Sequence, residues 1–182
     1  MHTDDGVRLE SIGRRARGLS GILGRMATWN DVTTAAPELA KLTRELFEAN
    51  KHLTIATLRR DGAPRISGIE CRFIEGDLWF GSMPNAVKAL DLQRDPRFAL
   101  HSGTGDANEW NGDAKVSGRV EEVSEPDRRK VIFAAMGQSD SGESHLFRAE
   151  LDEVSTVRLG VPADHLLIDS WREGEEPKQI KR

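Results

Sequence analysis

The sequence predicts a small antiparallel β-barrel with peripheral helices, a mainly β fold class. Short stretches alternate apolar and polar residues with the period of a strand, and most of them are joined by tight hairpin turns. The helical stretches between them are short. Roughly six or seven strands are expected, since each alternating run bounded by turn residues counts as one, and there is no internal repeat.

Residues 1–25 carry Arg14, Arg15, Arg17 and Arg25 among glycines, with no regular apolar period, and read as a disordered or loosely held extension. Residues 26–182 are then the domain proper. From about Pro37 to Asn50 a helix is signalled by the proline near its start, Glu38 in the first turn and Leu39, Leu42, Leu46 and Phe47 at helical spacing. Leu53 to Arg59 alternates as a strand, and Arg60-Asp61-Gly62-Ala63 is a hairpin connection whose strongest signal is Asp-Gly. A second, longer strand is expected from about Pro64 to Ile74, apolar on both faces yet with Glu70 and Arg72 in its middle, as befits a barrel or interface strand.

After the turn Glu75-Gly76-Asp77, Leu78, Phe80 and Ser82 alternate with Trp79, Gly81 and Met83, and Pro84 ends that strand. Asn85 is the expected N-cap of a helix with Val87, Leu90 and Ala86 inward, stopped by Asp95-Pro96. Phe98 to His101 begins the next strand, Ser102 to Gly112 is a glycine-rich loop, and Asp113 to Val123 alternates strictly. Ser124-Glu125-Pro126-Asp127 resembles a capping box opening a helix with Val131, Ile132 and Ala135 inside. Gly137 to Ser144 is a polar loop, Leu151 to Leu159 and His165 to Trp171 are the last strands, and Arg172 to Arg182 is a charged tail.

A chain of 182 residues is long enough for one domain with a continuous core. Its net charge of −4 gives no reason to expect a nucleic-acid or membrane surface. Cys71 is the only cysteine, so no internal disulfide and no cysteine-based metal site are expected, and a soluble protein of the reducing cytoplasm is. Nucleophile-elbow, Walker-loop and zinc motifs are missing. His52, His101, His145 and His165 stand far apart without ligand spacing and are read as structural or surface residues, with no metal site.

One spot carries a charge oddity. With Asn85 as cap, Lys88 falls in the first turn of its helix, where a cation faces the positive end of the helix dipole. A bound anion reverses the sign of that interaction: free backbone N–H groups, the Lys88 ammonium and the Ser82 hydroxyl at the strand end would together hold a phosphate. The alternative is an outward Lys88, solvated or paired with Asp91.

The segments DGAPRIS, EGDLWFGSM, LDLQRDPRFAL and GDAKVSGRVEEV, with the Lys88 helix among them, resemble the pyridoxamine 5′-phosphate oxidase-like superfamily of flavin and deazaflavin oxidoreductases. The resemblance runs from about Phe47 to Trp171 and is most specific from Asp61 to Leu100. It implies a six-stranded antiparallel split β-barrel that forms a homodimer, with FMN or a deazaflavin coenzyme of the F-420 type in a groove between subunits. By the same resemblance Lys88 is the phosphate lysine, Ser82 the hydroxyl residue before it, Arg65 the basic residue early in the second strand with Ser67 beside it, and Asp113 the polar residue opening the fifth strand. Trp171 takes a place related to the C-terminal substrate-binding motif, although the paired arginines of that motif are absent. Val87 stands where true oxidases have an arginine, and Glu70 or Cys71 where they have a second lysine, which points away from a vitamin B6 phosphate as substrate.

The resulting expectation is a dimeric oxidoreductase that passes a hydride between the cofactor and an unidentified small organic substrate, without a catalytic side chain of its own. The competing expectation is a non-enzymatic haem or flavin carrier on the same barrel, with His101 at a strand end as the haem ligand to test.

Overall fold

The computed structural model describes residues 26–104 and 110–182. The N-terminal extension and the middle of the loop after His101 lie outside the described residues. Two helices lead, α1 (Trp29–Ala35) and α2 (Pro37–Glu48), followed by β1 (Leu53–Leu58), β2 (Pro64–Ile69), β3 (Cys71–Ile74) and β4 (Asp77–Ser82). Then come α3 (Val87–Arg94), β5 (Arg97–His101), β6 (Asp113–Glu122) and α4 (Pro126–Ala135). The chain closes with β7 (His145–Leu159), β8 (Leu166–Arg172) and β9 (Lys178–Lys181).

The strands form a single antiparallel sheet of nine, ordered β2-β1-β5-β6-β7-β4-β3, with β8 on β7 and β9 on β8. This is a split β-barrel, and the topology shows why. The two ends of the seven-strand path, β2 and β3, are separated in the chain only by Glu70, so the sheet must curl until its edges meet, yet no ladder joins them. The expected single strand from Pro64 to Ile74 is therefore two. Its first half pairs with β1 and its second with β4, and the charged residue in its middle marks the crossing.

β7 accounts for the split on the other side. One of its edges runs along β6, while the other is shared: residues 145–148 pair with β4 and residues 153–159 with β8. Between them Leu151 donates its N–H to the Ala27 carbonyl at 2.8 Å, so the chain leading into α1 fills the gap. The sequence expectation began this strand only at Leu151. Phe147, Ala149 and Leu151 are buried and alternate with the half-buried Arg148 and Glu150; only Leu146, buried on the other face, departs from that period.

Inside the barrel Phe80 meets Phe98 edge-on at 5.7 Å and Phe147 at the same distance, with Ile55, Leu100, Val116 and Leu151 around them. A smaller cluster of Trp79, Ile132, Phe133 and Leu146 lies outside the barrel, under α4. That helix is capped by Glu125, whose carboxylate accepts from the Asp127 and Arg128 amides, not by the expected Ser124. Its inward side chains are Arg129, Ile132 and Phe133, whereas Val131 and Ala135 face out. The α1 helix was not foreseen, although Thr28 and Asp31 cap each other reciprocally across its first turn. Nor was β9, whose residues are all exposed and which reads in sequence as a charged tail.

Cys71 opens β3 at 8% exposure. Burial pushes its thiol up to about 12, with Glu48 adding to the rise and Arg72 opposing it. The folded protein is expected not to react with an aromatic disulfide reagent at pH 8, and to release one equivalent once denatured. Rapid labelling of the folded protein would show that β3 opens.

Candidate functional site

At the end of β4 the chain turns through Met83, Pro84 and Asn85 into α3. Asn85 adopts a left-handed φ of 59°, which Asn tolerates better than most residues. The N-cap is thus Ala86 and not Asn85, and no side chain caps the helix. Lys88 still lies in the first turn, so the first amides of α3 and a lysine share one spot, as the sequence suggested.

Beside that turn opens a cleft of about 290 Å³ lined by Ser82 and Lys88 together with residues of β2, β3 and α4. The Lys88 ammonium donates to the Gly68 carbonyl at 2.9 Å, leaving donors to spare. The Ser82 Oγ is shielded from solvent yet has no hydrogen-bond partner, an unsatisfied polar atom that calls for one. Arg72 and His52 stand at the same cleft, and Glu70 between them lies 3.7 Å from His52 and 3.9 Å from Arg72. The rim is cationic on balance, because Lys88 and Arg72 outnumber its single carboxylate, Glu70, which Lys51 also approaches at 3.6 Å.

Lys88 does not pair with Asp91, the alternative that the sequence left open. Asp91 is buried beneath α3, where it accepts from Arg65 Nε at 2.6 Å, Thr57 Oγ1 at 3.0 Å and Arg94 at 2.9 Å. This network decides how the helix lies. Its inward face is Ala89, Asp91 and Leu92, so Val87 and Leu90, expected inside, point outward, while Ala86 is partly buried against the core. Arg65 is thereby engaged by Asp91 and holds α3 to the sheet.

The other residues named from sequence do not line this cleft. Ser67 lies on β2 opposite Ile55 of β1. Asp113 opens β6, where it accepts from Trp110 Nε1 at 3.1 Å and has His101 Nε2 at 3.9 Å. Trp171 is 4% exposed and belongs to the main core. Sequence reasoning passed over Arg72, His52, Phe133 and Gln138, which meet at the cleft from four separate elements and loops. Only the charges of Glu70 and Arg72 in the middle of the run from Pro64 to Ile74 could have hinted at the crossing from β1 to β4 that brings Arg72 to this cleft. Among the described residues no group of three or more His, Cys, Asp or Glu is placed to hold a metal ion.

A split β-barrel with an anion-ready cleft where β4 enters a helix defines a recognisable class of protein. The chain belongs to the pyridoxamine 5′-phosphate oxidase family, whose model matches residues 39–158. No curated protein matches the sequence. Among solved structures it is similar to PhzG from Burkholderia lata 383, solved with tetrahydrophenazine-1-carboxylic acid, at TM-score 0.61 and 16% identity, covering 87% of this chain and 99% of that one. It is also similar to a pyridoxamine 5′-phosphate oxidase-related, FMN-binding protein from Nostoc punctiforme PCC 73102, at TM-score 0.57 and 15% identity over 83% and 96% of the two chains. A NimC/NimA family protein from Clostridium acetobutylicum gives TM-score 0.55 and 11% identity over 83% and 97%.

Proposed function

We propose that this protein is an oxidoreductase that holds a flavin-type cofactor, FMN or a deazaflavin coenzyme, by its phosphate at the start of α3. The observation that carries the reading is the buried, unpartnered Ser82 Oγ beside an uncapped helix start that also bears Lys88. These residues fit a phosphate: a hydroxyl that lacks a partner, amides without a capping side chain and an ammonium with donors left over. Membership of the family and the FMN-binding relative support the same cofactor class. The bound group would supply hydride transfer, and the chain's part is to hold the phosphate and keep α3 in register through Asp91.

The test is titration of wild type and Lys88→Ala with FMN and with the deazaflavin coenzyme. Removing a charge-assisted hydrogen bond of about 1.5 to 3 kcal/mol weakens affinity roughly ten- to a hundredfold. Apo melting should barely move, because the substitution deletes one hydrogen bond at an exposed position and takes a cation away from the positive end of a helix. Equal affinity for wild type and variant would remove the phosphate from this site.

The protein also acts as a homodimer in this reading. Met83 and Val87 are 76% and 53% exposed around the start of α3, and Ile66 is 75% exposed on β2, apolar side chains that support a partner surface. Light scattering at micromolar concentration should return a dimer; a monomer would overturn this part.

A further inference from the structure

Glu70 is the one carboxylate among the described residues that line the cleft, and it stands among cations without bonding to any of them. Lys51 Nζ lies at 3.6 Å, His52 Nδ1 at 3.7 Å and Arg72 Nη2 at 3.9 Å, all beyond hydrogen-bond distance. Arg72 Nη1 donates instead to the Cys71 carbonyl at 2.8 Å. Lys51 is 67% exposed and outside the lining, while the Glu70 side chain, at 31%, stands between solvent and cleft. Lys88 reaches the same stretch of chain from α3, where it donates to the Gly68 carbonyl. Two residues of extended chain span about 7 Å, so Glu70 falls within roughly one Debye length of an anion held by Lys88. The lining thus sets two positive charges, Lys88 and Arg72, against one negative, and His52 adds a third only when protonated. Such a cleft is balanced by one negative charge and not by two.

We infer that Glu70 is a specificity-determining residue, which sets this cleft for the singly charged phosphate of a diester and against the doubly charged end group of a monoester. The inference rests on the phosphate site proposed above and narrows what that site accepts. A phosphate monoester carries about −1.5 to −2 at pH 7, its second proton leaving near pH 6. A diester has no second proton to lose and keeps a single charge. The first charge meets Lys88, the free amides of α3 and Arg72. The second meets the Glu70 carboxylate across several ångströms of partly solvated cleft, a repulsion worth about three- to tenfold in affinity. Asp91 shows the contrast: its carboxylate is consumed by hydrogen bonds from Arg65, Arg94 and Thr57, as befits a structural anchor. Glu70 has no such bond, and its charge is left to act on what enters the cleft.

The experiment titrates wild type, Glu70→Gln and Lys88→Ala, each checked by apo melting, with three probes. These are FMN, the methyl ester of FMN, which keeps ring and phosphate but has one charge fewer, and riboflavin. Wild type at pH 7.5 should bind the methyl ester about three- to tenfold more tightly than FMN. The two should converge at pH 5, where FMN has regained its second proton and protonation of His52 acts on both alike. Glu70→Gln should gain affinity for FMN until the preference is lost or reversed, and Lys88→Ala should weaken both esters but not riboflavin. If wild type binds FMN at pH 7.5 as tightly as the methyl ester or more so, while Lys88→Ala weakens both, the phosphate site stands and the selectivity is overturned. A preference that persists unchanged in folded Glu70→Gln overturns the role of Glu70. The wild-type ratio and its pH dependence need no variant, so they decide the matter should Glu70→Gln fail to fold. Both esters bound no better than riboflavin would overturn the phosphate site together with the selectivity.

Discussion

Gly118→Ala is expected to destabilise the protein by about 3 kcal/mol or more, at the upper end of what overpacking costs. A Cβ at this position would lie 1.9 Å from the Glu150 carbonyl oxygen, 2.9 Å from the carbonyl carbon and 3.0 Å from the Leu151 Cα. All three are backbone atoms of β7, so no side-chain rotation relieves the clash and the two strands must part. The position is also where the β6–β7 register shifts, between Ser117 and Gly118, a bulge at which the backbones approach closely. Separation would break the longest ladder of the sheet and displace Leu151, which bridges to Ala27 and closes the gap between β4 and β8. For a domain of this size the cost corresponds to a melting temperature lower by about 6 to 12 °C. Gly68→Ala is the control, because a Cβ there meets nothing within 4 Å and its melting should stay near wild type. A Gly118→Ala protein that melts with wild type would mean that β6 and β7 are not held at this spacing.

What was legible in the sequence follows burial geometry. β1 and β6 pair with neighbours on both edges and alternate buried with more exposed side chains, so their period showed. The first half of β7 carries a readable period, Phe147, Ala149 and Leu151 against Arg148 and Glu150, that was overlooked, whereas β9 showed none because neither of its faces is buried. For α3 the chain position was right and the inward face wrong, since apolar period is a poor guide where the buried group is an aspartate in a network of arginines. That Ser82 and Lys88 line one cleft was legible because one short strand–turn–helix carries both. Arg72 and Gln138 were not, because nothing local shows that β3 and the loop after α4 converge on the end of β4. Arg65, read from the family as a cofactor residue, has a carboxylate partner that only the packing of α3 on β1 and β2 reveals.

Asp91→Ala should cost about 3 kcal/mol, the lower end of the range for removing one partner of a buried ion pair, because the arginines on either side still reach solvent. Asp91 itself is 2% exposed, and its removal leaves the Arg65 and Arg94 guanidiniums and the Thr57 hydroxyl facing a cavity. Asp91→Asn, which keeps the volume and one acceptor, should cost less. Burial by itself would push the Asp91 carboxyl up; the hydrogen bonds from Arg65, Arg94 and Thr57, with the Arg65 charge, outweigh it and hold the carboxyl below its ordinary 3.8. A carboxyl lowered on folding stabilises fully above its unfolded value, and the stability is lost as pH falls through the folded one. The advantage of wild type over Asp91→Asn should therefore be level from pH 7 to pH 5 and shrink only below the ordinary value of 3.8. Urea unfolding of both proteins across that range measures it, and a difference that does not depend on pH would show that the carboxylate charge is not what holds the helix. Cofactor binding supplies a second readout. Asp91 touches neither Ser82 nor the cleft but fixes the helix that carries Lys88, so Asp91→Ala should weaken FMN binding at pH 7 even where the protein remains folded. Affinity equal to wild type in the folded variant would mean that the start of α3 keeps its place without this anchor.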